Sequence, residues 1–152
     1  MSNPALLYTT LDELASVVAA FEQGSLCRNV WHHRTHLAVA FWYLSQLPDA
    51  EAKPRICRGI RHYNESRGIP NTPDSGYHET LTLFWAAVIS LFLEKEDSGC
   101  TKVELVNKLL VKYGGNKDFW REYYSFDLLK CEKARRSWAE PDRKSLSSDD
   151  VA

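Results

Sequence analysis

Apolar positions along the chain recur mostly at spacings of three and four, and turn-bounded stretches of alternating apolar and polar residues are missing. That pattern predicts helices and no sheet. The first amphipathic run opens on a capping box, Thr10-Leu11-Asp12-Glu13, and ends near Gln23, with Gly24 at the stop position. A second runs from about Val30 to Leu47, with Asn29 as a cap and Pro48 as its end. A third opens on Asp49, tolerates Pro54 near its start and closes at Gly68. Residues 69–76, rich in Pro, Asn, Ser and Gly, read as a loop. A fourth helix is expected from about Tyr77 to Glu94 with Ser75 as cap. A fifth runs from the capping box Thr101-Lys102-Val103-Glu104 to Gly114-Gly115. Residues 117–138 read as short helical pieces. After Glu140-Pro141-Asp142 the chain turns Ser- and Asp-rich, the composition of a disordered tail. The expectation is one all-α domain over residues 1–142, a bundle of about five main helices with short C-terminal ones, and a tail over 143–152. No internal repeat or second domain is visible.

Composition narrows the function classes. A chain of 152 residues fits one domain, and 44% hydrophobic with 26% charged residues is ordinary for a globular protein. Nineteen basic against twenty acidic residues leave a net charge of −1, which excludes a strongly basic nucleic-acid surface. No apolar stretch approaches the ~20 residues of a membrane span. Met1-Ser2-Asn3-Pro4 carries no cationic segment leading into an apolar one, so a cytoplasmic location is expected. Cys27, Cys57, Cys100 and Cys131 form no C-x-x-C pair, so free thiols are expected rather than a zinc ribbon. Five Trp and seven Tyr are many for this length and point to a large core or a lined pocket.

The face analysis singles out histidines. The second helix is apolar nearly all round, as a central buried helix is. On it His33, Leu37, Ala40, Leu44 and Leu47 share one face, and His36 lies about 60° from His33, at ~100° per residue. His32 falls to the flank. On the fourth helix His78, Leu81, Trp85, Ile89 and Phe92 form one stripe, with Thr82 nearby and Glu79 about 100° round. On the third, Ile56, Ile60 and Tyr63 face inward with Cys57 and Asn64 at the edge, while His62 shares a solvated side with Arg55, Arg58 and Glu65.

A buried polar group left without a partner costs about 1–3 kcal/mol. Inward histidines must therefore be satisfied by one another, by backbone, by water or by a metal. His33 and His36, at i and i+3, are close enough for both rings to reach one ion. His78 would complete the set, with Glu79 as carboxylate ligand or general base. Histidine with carboxylate suits Zn²⁺, Fe²⁺, Ni²⁺ or Mn²⁺. Each residue also has a plain structural reading: a hydrogen-bonded core histidine, a carboxylate favoured by the helix dipole, tryptophans that are simply core. Arg135 could neutralise an anionic substrate, or pair with Glu140 or Asp142. Tyr123 and Tyr124 could line the cavity or only pack.

Three segments resemble a family of small bacterial all-helical proteins with no established activity. They are Trp31-His32-His33-Arg34-Thr35-His36-Leu37; then Ile60-Arg61-His62-Tyr63-Asn64-Glu65 through Gly68, Asn71-Thr72 and Gly76-Tyr77-His78-Glu79-Thr80; then Leu128-Leu129 through Ala134-Arg135 to Glu140-Pro141-Asp142. The resemblance spans roughly residues 30–146. It implies a shared helical fold and a shared site, with His33, His36 and His78 as its histidines and Asn64, Asn71, Glu79 and Thr80 around them; it implies no reaction. His32 and His62 fall outside the pattern. The His-Asp pair of HD phosphohydrolases and the His-Glu-x-x-His of zincins are both missing, and so are Gly-x-Ser-x-Gly and phosphate- or dinucleotide-binding loops.

Three functions follow as alternatives. The first is a small metal-dependent enzyme acting on a small molecule, with His33, His36 and His78 on a divalent ion, Glu79 catalytic, and Asn64, Asn71, Thr80 and Arg135 toward substrate. The second is a non-catalytic module with a His/Asn/Glu hydrogen-bonding pocket. The third is a purely structural histidine network. The expected partners are a small-molecule ligand and, as an option, a second copy in a homodimer, with neither nucleic acid nor membrane.

Overall fold

The computed structural model describes residues 7–96 and 99–151. Six α-helices follow one another: α1 (Leu11–Gln23), α2 (His33–Leu44), α3 (Asp49–Ser66), α4 (Glu79–Lys95), α5 (Lys102–Tyr113) and α6 (Glu132–Arg136). Short 3₁₀ turns at Arg28–Val30, Phe119–Glu122, Leu128–Lys130 and Ser148–Val151 join and close them, and there is no strand among the described residues. The expected all-α domain is what forms. No described helix is long and apolar enough to cross a membrane.

The helix ends show which local signals operate. The Thr10 hydroxyl accepts from the Glu13 amide at 3.2 Å, and Gly24 stops α1 in the left-handed region at φ +73°. Both halves of the capping box at Thr101 and Glu104 are present on α5. Two starts differ from expectation. Residues 28–30 form a 3₁₀ turn, and α2 begins only at His33, because the Thr35 hydroxyl donates to the Val30 carbonyl at 2.6 Å and holds that turn apart from the helix. α4 begins at Glu79, and its cap is His78 rather than Ser75. Ser75 instead pairs with Thr72 inside the 69–76 loop, where the two exchange backbone hydrogen bonds.

α2 is the central rod. Eight of its twelve residues are buried, and it touches α1, α3, α4 and α5. α4 packs on α2 and α3 with Phe84, Ile89 and Phe92 buried, each contributing about 1.5–3 kcal/mol of burial. The four cysteines are free, and only Cys57 is buried.

The C-terminal segment covers one end of α4. Thr80, fully buried, donates from Oγ1 toward the carbonyls of Ala134 at 2.7 Å and Ser137 at 3.0 Å, and accepts from the Ala139 amide at 3.0 Å. Asp142 receives the Ser125 amide at 2.7 Å. The residues after 142 were expected as a disordered tail, yet the final 3₁₀ turn packs on α4 and buries Val151, whose carbonyl accepts from Lys112 Nζ at 2.6 Å. Composition described the solvated face of that segment and missed its apolar anchors, Leu146 and Val151.

Candidate functional site

A cavity of about 570 Å³ opens between α2, α3 and the start of α4. α2 contributes His33, His36, Leu37 and Ala40, because its apolar all-round sequence puts it at the centre of the fold. α3 contributes Ile56, Ile60 and Asn64; α4 and its cap contribute His78, Leu81, Thr82 and Trp85. Trp31, Tyr77 and Trp120 complete the aromatic wall, and Arg28, Lys117 and Asp118 stand among the lining residues as the charged ones. A mostly apolar hollow of this size with a few convergent polar groups is the usual form of a small-molecule site.

The three histidines do reach one cavity, but their ring nitrogens are not equally available. His78 is saturated. Its Nδ1 accepts from the Leu81 amide at 3.1 Å, and its Nε2–H donates to the Leu128 carbonyl at 2.8 Å, which fixes the neutral tautomer. His33 donates from Nε2 to the Tyr113 carbonyl at 3.0 Å and lies edge-on to Trp85 with centroids 4.8 Å apart, so only Nδ1 is uncommitted. The His36 ring makes no hydrogen bond among the described residues. Its ring stacks on Trp31 with centroids 3.7 Å apart and planes at 26°, and Trp31 in turn stacks on Phe21 at 5.0 Å. Burial lowers all three pKa values. For His36, with the nearby His33 and His32 adding to burial, it falls to about 3. The imidazoles are therefore neutral at ordinary pH.

This bears on the metal expectation. A ligating histidine needs a nitrogen lone pair, and both nitrogens of His78 are used by backbone groups. Among the described residues no group of three or more His, Cys, Asp or Glu is placed to hold a metal ion. Glu79 does not line the cavity either. Its carboxylate accepts the Tyr77 hydroxyl, and Arg61 stands 4.0 Å away with its guanidinium 4.9 Å over the Tyr77 ring. That places Glu79 at the α3–α4 seam, where it orients Tyr77, and not where a general base would meet a ligand in the cavity.

The residues expected toward substrate divide. Asn64 lines the cavity, and its amide donates to Asn71 Oδ1 at 3.0 Å. Asn71 stays outside. Its Oδ1 also accepts the Tyr77 amide at 2.9 Å, so it ties the loop to the start of α4. Gly76 at φ +87° makes that tie feasible: a Cβ there would lie 2.3 Å from the Pro70 carbonyl oxygen and 2.7 Å from Asn71 Oδ1. Thr80 is committed to the C-terminal cover, as described. Arg135, buried, makes no ion pair with Glu140 or Asp142 among the described residues. It donates to the carbonyls of Gly76 at 3.1 Å, Leu129 at 3.2 Å and Asp74 at 3.3 Å, clamping the loop and the 128–130 turn that frame the cavity. Tyr123 and Tyr124 are buried and pack with Phe84 outside the lining.

Sequence reasoning missed Arg28, Lys117, Asp118 and Trp120. No periodicity marks them, because they sit in 3₁₀ turns and loops that only the folded chain brings to the cavity. The chain matches no protein-family model, no curated protein and no solved structure.

Proposed function

We propose that the protein is a small-molecule-binding module whose ligand enters the cavity between α2, α3 and α4. The observation that carries this reading is His36: a half-buried imidazole lining the 570 Å³ hollow whose ring nitrogens make no hydrogen bond among the described residues. A neutral imidazole offers one donor and one acceptor, and on His36 both are left for a ligand in the cavity. His33 Nδ1 adds a second acceptor, and the tryptophans supply contact area. A role as metal-dependent enzyme draws less support, since His78 has no lone pair to give.

The test is a thermal-shift screen of a metabolite library in the presence of a chelator. A ligand at a hundred times its Kd stabilises by about 2.7 kcal/mol, or roughly 5 °C or more in Tm for a chain of this size. Hits should weaken about tenfold in His36→Phe, which keeps a flat ring on Trp31 and removes both hydrogen bonds. A library with no hits, or hits unaffected by His36→Phe, would remove the reading.

A further inference from the structure

The charges on the cavity lining say more about the occupant, given the binding function above. Arg28 and Lys117 both line the cavity and are exposed, and neither makes an ion pair among the described residues. Asp118 is the single carboxylate on the lining, and Arg121 Nε already neutralises it at 3.5 Å. The lining therefore carries two unmatched positive charges and no unmatched negative one. Deeper in, the polar groups are neutral: two imidazoles with available nitrogens, and the Asn64 amide. The walls are flat. Trp31 is stacked between His36 at 3.7 Å and Phe21 at 5.0 Å, while Trp85 is half-buried on the lining and meets His33 edge-on at 4.8 Å.

An aromatic lining alone would also suit a quaternary ammonium group. The charge pattern decides against it, because a cation here would find two like charges and no free carboxylate. Burial lowers the pKa of His33, and the Lys117 charge adds to that lowering, which sets Lys117 near the histidine side of the cavity.

We infer that the ligand is an aromatic or heteroaromatic anion, its ring beside Trp85 with an edge on His36, and its carboxylate or phosphate at the mouth with Arg28 and Lys117. Carboxylate and phosphate share this chemistry, so the experiment separates them. Calorimetric titration of the full chain at low salt would use indole-3-acetate, indole-3-acetamide and tryptamine as one set. Adenosine monophosphate and adenosine would be the other. In at least one set the anion should bind about tenfold or more tighter than its neutral counterpart, with the advantage shrinking as salt rises. The set showing it identifies the anionic group. In the Arg28→Gln/Lys117→Gln double variant the ratio should fall to about twofold or less, and Arg28→Lys should keep it. Both positions are exposed, so these variants should fold.

Equal affinity of anion and neutral counterpart in both sets, or tryptamine as the tightest probe, would overturn this assignment while leaving a ring-binding cavity in place. No binding by any of the five probes would also overturn it. The library screen then decides separately whether the cavity binds anything.

Discussion

His78 exposes the difference between facing inward and being available. Its position at the head of an apolar stripe is legible from spacing alone; its two hydrogen bonds are not, because one goes to Leu128, fifty residues away. The same holds for His33, whose carbonyl partner Tyr113 is eighty residues on. Periodicity assigns a side chain to a face, but a ring's remaining valence depends on backbone from other elements. His78→Ala should therefore lower stability by about 1–3 kcal/mol, from the lost cap and the orphaned Leu128 carbonyl, while His78→Asn should recover the cap part. Urea titration reads both.

Protonation gives a second residue-scale prediction. His33, His36 and His78 have pKa values below the ordinary 6.5 in the folded chain, His36 at about 3. Below pH 6.5 the unfolded chain binds more protons, so stability is fully present above that value and falls as pH drops toward 3. Each histidine contributes at most about 1.4 kcal/mol per pH unit in that window. The lowered carboxyls of Asp142, held by Ser125, and Asp150, held by the Ser147 amide, add to acid loss only below their ordinary value of 3.8. Tm measured from pH 7 to 4 should slope less steeply in His36→Phe than in the parent chain. An unchanged slope would mean that His36 titrates normally and is open to water.

Among elements, the caps were the most legible features. Thr10, Thr101 and Gly24 act through neighbours within a few residues, and α1 and α5 start and stop as their sequences say. The start of α2 was misplaced because Thr35 back-bonds to Val30 and sets the preceding turn apart. The C-terminal pieces were legible as short helices but not in purpose. Arg135 sits on a helix of five residues and acts on carbonyls of a loop some sixty residues earlier. Its guanidinium fork reaches several carbonyls at once, which an ammonium cannot copy. Arg135→Lys should cost about 1–3 kcal/mol and speed proteolysis within residues 70–76, because the part-buried carbonyls of Asp74, Gly76 and Leu129 lose charged donors. Loss of stability without faster cleavage there would separate α6 from the loop it is argued to hold.

At the scale of the whole molecule, the cavity sets stability against binding. A cavity of about 570 Å³, open to solvent at one side, sits beside the most central helix. Ala40 is on the lining and nearly buried, so a larger side chain there grows into the hollow and not into packed core. Ala40→Leu adds three carbons at about 0.8 kcal/mol per buried methylene, offset by whatever strain the new rotamer meets. The chain without ligand should gain up to about 2 kcal/mol and a few degrees in Tm, while compounds that stabilise the parent lose their effect. That pairing is the signature of a site kept open for a ligand. A purely structural histidine network predicts the reverse pattern, in which enlarging Ala40 crowds the imidazoles and destabilises the chain by 1–3 kcal/mol or so. Thermal melts of parent and variant, with and without a hit compound, distinguish the two by sign alone.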